Sequence, residues 1–208
     1  MLISAVDSVF ERTGASFGGW RDPHEDGLPT DDEYSRLTNP DKWLILGARV
    51  DAWIETLVRL NAATLEPGAV VHWEELPELA LSQVDRVAPL VVGALPLTVA
   101  RSWIDDVTGA GVTIGVGDPA VRAATFPACG CDACDNGSNH ELGQLDEWLE
   151  GVVSGVFRRL RKGKREIVVH NNNGWSGTNL RRRDNVASIL QNSKGWDELS
   201  GVSWLDLP

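Results

Sequence analysis

The hydrophobic period of this chain changes near Ala69, and that change limits the fold more than any other feature of its 208 residues. Upstream, Trp43, Leu46, Val50, Trp53, Ile54 and Leu57 fall on one side of a 3.6-residue wheel, while Arg49, Asp51, Glu55 and Arg59 fall largely outside that stripe. Asn39 as a capping side chain and Pro40 at the first helical position give this helix its start, and it is expected to run to about Ala63, before Glu66-Pro67-Gly68 breaks it. Leu2, Ile3, Val6, Val9 and Phe10 repeat the pattern over Leu2 to Thr13, with Gly14 expected as a left-handed cap.

Beyond Ala69 the apolar residues group into short extended runs bounded by Gly and Pro: Leu95 to Trp103, Val112 to Val116, and Ala120 to Phe126. Val112, Ile114 and Val116 share one face, Asp105 to Gly111 reads as a hairpin connection, and the stretches Val70 to Trp73 and Val84 to Val92 read as edge strands. Gly115-Val116-Gly117-Asp118-Pro119 lacks the third Gly, the Lys and the following helix of a phosphate loop, so it reads as a turn. Helical spacing returns at Ser138, where Ser138 and Glu141 have the spacing of a capping box and Leu142, Leu145, Trp148, Leu149, Val152 and Val153 form a stripe. Trp148 is expected in the main core against the sheet. A hairpin follows, Val156 to Arg161 and Glu166 to Val169 about Lys162-Gly163-Lys164, then a short helix over Arg181 to Gln191.

Short connections between successive strands mean antiparallel pairing, so the fold class is α+β: an antiparallel meander packed against two to three amphipathic helices. A length of 208 residues suits one domain over 1–208, with the Gly-, Pro- and Asp-rich stretch 14–39 as a long surface loop within it. Nine Trp against one Tyr and one Met is unusual, and indoles suit cores, pocket walls and interfaces alike. The opening residues lack a basic start and carry Asp7 within their apolar run, and no apolar stretch reaches spanning length, so the expected location is cytoplasmic with no membrane partner.

Two segments far apart in sequence carry a resemblance. Tyr34-Ser35-Arg36-Leu37-Thr38-Asn39-Pro40, followed much later by Phe126-Pro127-Ala128-Cys129-Gly130-Cys131-Asp132-Ala133-Cys134-Asp135, resembles an uncharacterised bacterial domain family of unknown function, over roughly Tyr34 to the C-terminus. The resemblance implies a cytosolic single domain and brings no reaction, ligand or catalytic residue with it.

Chemistry concentrates in the cysteines. Cys129, Cys131 and Cys134 form C-x-C-x-x-C just before a helix start, a soft donor set suited to zinc or an iron–sulfur centre. Zinc takes four tetrahedral ligands, and His140 is the nearest imidazole, with Asp132 or Asp135 as a carboxylate substitute. The same residues also suit a compact polar turn in which the two acids bond local backbone and the thiols pack inward. A reactive thiol is the third reading, opposed by those acids.

Elsewhere the catalytic signals fall short. His24, His72 and His170 each stand alone, and Ser176 has Thr178 where a nucleophile elbow needs Gly. Asp31-Asp32-Glu33 and Asp105-Asp106 lie in expected loops, where water keeps both members of a pair ionised. His170 leads into Asn171-Asn172-Asn173-Gly174-Trp175-Ser176-Gly177, which reads as a polar solvent loop. The favoured function is therefore a non-enzymatic binding or interaction protein with a structural zinc, its partner a protein rather than a nucleic acid. The alternatives are a metal- or thiol-dependent enzyme at the Cys loop, and an anion or nucleic-acid binder using the basic segment 156–194.

That segment holds ten Lys and Arg against two acids, a net +8, and since the chain carries −11 in all, the remainder carries −19. The acidic body opposes a polyanion over distances where screening is incomplete. Titration of labelled duplex DNA at about 0.15 M salt is expected to show no saturable binding. Micromolar binding that weakens steeply with salt would establish the nucleic-acid alternative.

Overall fold

A computed structural model describes residues 2–172 and 174–205, so Asn173 of the polar loop, together with Met1 and residues 206–208, lies outside the described residues. Helix α1 (Leu2–Thr13) and helix α2 (Leu44–Arg59) pack against each other through Val6 and Val9. A five-stranded antiparallel meander follows: β1 (Ala63–Glu66), β2 (Leu81–Pro89), β3 (Leu97–Ile104), β4 (Val107–Val116) and β5 (Val121–Phe126), in spatial order β1-β2-β3-β4-β5. Helix α3 (Ser138–Val153) leads to β6 (Arg158–Lys162), β7 (Arg165–Val169), β8 (Trp175–Thr178), helix α4 (Val186–Gln191) and β9 (Asp197–Ser200). These last strands make a second antiparallel sheet in the order β8-β7-β6-β9. Two antiparallel sheets with packed helices are the expected α+β class.

Several local expectations change. Helix α2 stops at Arg59, and Ala63, expected as its end, instead opens β1. Asn39 sits in the left-handed region at φ 52° and its side chain caps nothing, so the helix enters through a 3-10 turn over Pro40–Trp43. Gly14 does not have a positive φ. It is needed for space, because a Cβ there would come within 2.7 Å of the Phe10 ring. The connection expected over Asp105 to Gly111 shrinks to a turn at Asp105 and Asp106, and β2 lies inside the sheet with β1 outside it.

The stripe of α2 is core as expected: Trp43, Leu46, Val50, Trp53, Ile54 and Leu57 are all buried, in one cluster with Leu97 and Val99 of β3 and Val112, Ile114 and Val116 of β4. Leu145, Leu149, Val152 and Val153 bring α3 into the same cluster, and Trp204 closes it. Trp148 is only partly buried and stacks on His170, ring centroids 4.5 Å apart, so it packs at the margin of the core and not within it. Trp73 lies on the other side of β4, its ring against the Gly115 backbone, and pairs with Ala120 in an isolated bridge.

Wheel geometry placed Arg49 outside the stripe, yet it is 4% exposed. Its guanidinium donates to both oxygens of Asp146 on α3, at 2.8 and 2.7 Å, and to Asp7 on α1 at 2.8 Å. Trp53 Nε1 donates to the same Asp146 carboxylate at 2.7 Å. One carboxylate thus ties α2 to α3 and satisfies a buried indole, while Phe10 covers the guanidinium from α1. Removing one partner of a buried pair strands the other, so Asp146→Ala should cost about 3–5 kcal/mol in denaturant unfolding with an unchanged m-value. Breaking the exposed Arg12–Glu55 pair by Glu55→Ala should, by contrast, leave the unfolding midpoint almost unchanged.

Candidate metal centre

The chain leaves β5 at Phe126, passes Cys129, Gly130 and Cys131, makes one 3-10 turn over Asp132–Cys134, and enters α3 at Ser138. Cys134 N–H bonds the Cys131 carbonyl at 3.1 Å, which folds the loop back on itself. This brings the three sulfurs together: all lie within 4.8 Å of one another, and Cys129 Sγ and Cys131 Sγ are 3.1 Å apart. Cys129 is exposed, and Cys131 and Cys134 are half-buried. Hydrogen bonding from Cys129 pulls the Cys131 thiol below its ordinary pKa, whereas hydrogen bonds to Cys131 and Cys129 push the Cys134 thiol up to about 12.

The donor set fits a zinc ion. Zinc–sulfur bonds of about 2.3 Å put tetrahedral sulfurs about 3.8 Å apart, so these thiols need shifts on the order of 1 Å. His140 lies on the first turn of α3 and is exposed, and among the described residues the group with mutually close ligand atoms is the three cysteines.

The two loop acids are committed to the protein. Asp132 accepts from the Thr38 N–H, the Thr38 hydroxyl and Arg36 Nε, each at 2.7 Å. Burial opposes its ionisation, but the Thr38 hydroxyl and the Arg36 guanidinium outweigh it and hold its pKa at about 2. Asp135, 3% exposed, accepts from Trp20 Nε1 at 2.8 Å, Lys42 Nζ at 2.6 Å and the Gly137 N–H at 2.9 Å. Lys42 also lies over the Trp43 ring, 4.9 Å from its centroid.

The expected capping box at Ser138 is absent. Gly137 is the N-cap, its φ of 81° and the Asp22 backbone 2.5 Å from where a Cβ would lie both requiring glycine. Ser138 Oγ instead accepts from the Trp20 N–H at 3.0 Å, and Glu141 turns inward, where burial pushes its pKa up. A short-range acid–hydroxyl pairing of that kind does occur at Thr30, whose N–H donates to Glu33 at 2.6 Å. The long loop 14–39 is thus pinned to the Cys loop along much of its length, with His24 Nε2 reaching the Asp132 carbonyl at 3.1 Å.

Cys129, Gly130 and Cys131 form part of the wall of a cleft of about 640 Å³. Tyr34 and Trp103, both exposed, contribute aromatic surface, and Thr113 and Thr125, their hydroxyls 3.1 Å apart, line it from β4 and β5. Arg122 joins the lining, held at 2.8 Å by a Glu78 that is 82% exposed. Apart from the two cysteines, none of these cleft residues stood out in the sequence as a site, although Tyr34 and Arg36 lie in the first of the two quoted motifs.

Four arginines of the basic segment, Arg158, Arg159, Arg161 and Arg165, pair with acids. Arg159, 8% exposed, bonds Glu74 at 2.8 Å and Glu166 at 2.6 Å, Arg158 bonds Glu198 at 2.9 Å, and Arg165 bonds Asp184 at 2.8 Å. Among the described residues no helix is long and apolar enough to cross a membrane.

A carboxylate held near 2 contributes stability that is present above its unfolded pKa of about 3.8 and lost as pH falls through the folded value. Asp132→Asn should therefore cost about 1.5–3 kcal/mol at pH 6. The gap from wild type, followed by urea unfolding, should narrow steadily from pH 4 to pH 2.5. A gap independent of pH would mean that Asp132 does not act through its charge.

Compared with known proteins, the chain matches the model of a family of unknown function (DUF6226) over residues 6–204, a span that begins well before the Tyr34 at which the motif resemblance starts. No curated protein and no solved structure matches it.

Proposed function

Since the chain belongs to DUF6226, a family of unknown function, we propose from its geometry that it is a non-enzymatic binding protein whose Cys loop carries a structural zinc. The observation that carries this is the convergence of Cys129, Cys131 and Cys134 to within 4.8 Å on a loop that walls a cleft. Thiolates suit zinc, and three of them damp the Lewis acidity that hydrolytic zinc needs. The ion would stiffen the loop that positions both the cleft wall and the start of α3. His140, on that first turn, is the protein's own candidate for the fourth ligand. A protein partner suits the cleft better than a nucleic acid, because the net charge of −11 repels a polyanion and Arg158, Arg159, Arg161 and Arg165 of the basic segment are paired with acids.

A thiol- or metal-dependent enzyme is the second reading, supported by the exposure of Cys129 at the cleft.

Elemental analysis of purified protein should find about one zinc per chain, removable by chelator. Cys131→Ser should lose the zinc, and its melting temperature should fall by about 2–4 °C for each kcal/mol the ion contributes. Zero zinc in wild type, or equal zinc in both proteins, would reject the site. A large loss of zinc in His140→Ala would make that imidazole the fourth ligand.

A further inference from the structure

Three sulfurs leave a tetrahedral ion one position short, and the nearby donors are occupied. Asp132 is held by Thr38 and Arg36, Asp135 by Trp20, Lys42 and Gly137, and His24 reaches the Asp132 carbonyl. His140 is exposed and outside the sulfur group. Two of the three cysteines, by contrast, border the cleft of about 640 Å³.

Resting on the metal reading above, we propose that the cleft is a ligand site whose occupant supplies the fourth donor, and that the occupant is a small thiol bearing a carboxylate. Softness selects the thiol, because a thiolate completes a donor set of its own kind. Its organic body lies against Tyr34 and Trp103, whose exposed rings offer apolar surface at the cleft. Its carboxylate pairs with Arg122, the cleft cation best placed to turn toward a ligand. Arg36 already serves Asp32, Glu33 and Asp132, whereas the Arg122 partner shown is Glu78, so exposed that water readily takes its place. As the sulfur–metal bond forms the thiol proton passes to solvent, and no oxidation or reduction takes place.

Cobalt(II) replaces zinc in tetrahedral sulfur sites and reports each added thiolate as sulfur-to-cobalt charge-transfer absorption. The test is titration of the cobalt-loaded full chain with 3-mercaptopropionate, with 2-mercaptoethanol and propionate as controls. A saturable gain in charge-transfer absorption is expected, with 2-mercaptoethanol weaker by about tenfold or more, the worth of one charged hydrogen bond or greater, and with no gain from propionate, which has no sulfur to add. Arg122→Gln should weaken 3-mercaptopropionate by a similar factor while still holding one cobalt per chain. An unchanged spectrum on protein that retains its cobalt would overturn the ligand site and leave the metal reading standing. Removal of cobalt by the thiol, or loss of cobalt binding in His140→Ala, would overturn it equally, the latter by showing a closed site. Failure of wild type to bind cobalt would instead overturn the metal reading itself, and the ligand site with it.

Discussion

The Asp135 carboxylate is the contact on which the arrangement of the Cys loop depends. A carboxylate at 3% exposure is costly unless its lone pairs are taken up, and here an indole, an ammonium and a backbone N–H take them. Each donor comes from a different part of the chain: Trp20 from the long loop, Lys42 from the entry to α2, Gly137 from the entry to α3. The carboxylate also sits just before the positive end of the α3 dipole. Its burial therefore fixes the direction in which the chain arrives at α3, and with it where Cys134 stands relative to Cys129 and Cys131.

Asp132 repeats the device one turn earlier and reaches the other side of the loop. Arg36 and Thr38 hold it from a segment more than ninety residues upstream, and the Arg36 carbonyl in turn accepts the Asp132 N–H at 2.8 Å. The two motifs that read as separate in sequence thus form one structure, with the first clamping the second. Both acids are engaged in clamping the loop, and the soft sulfurs make the candidate centre.

The amphipathic helices and the central strands were legible because period and burial coincide there: the α2 stripe, Val112 to Val116 and the α3 stripe all face one core. Boundaries failed where local chemistry was overruled by tertiary contact. Ser138 and Asn39 have side chains suited to capping, but Trp20 captured the first and a left-handed backbone removed the second. Strands β8 and β9 were illegible because they are short, polar and mostly exposed, and owe their pairing to β7 and β6. Arg49 was misplaced because a helical wheel knows nothing of the acids that α1 and α3 bring to it.

For the site, sequence spacing brought the three sulfurs together but said nothing of the cleft they border. A cleft is made by segments that are distant along the chain, here the 3-10 turn at Tyr34, the β3 end at Trp103, β5 at Arg122 and the Cys loop. Two of those segments are fixed by the sheet and two by the carboxylate clamps, so the cleft wall and the sulfur cluster share the same supports. Loosening a clamp disturbs both together, and an ion on the sulfurs, by stiffening the loop, would steady the cleft as well. Through that mechanical coupling a metal at this position would bear on any ligand the cleft held, even where it took no part in a reaction.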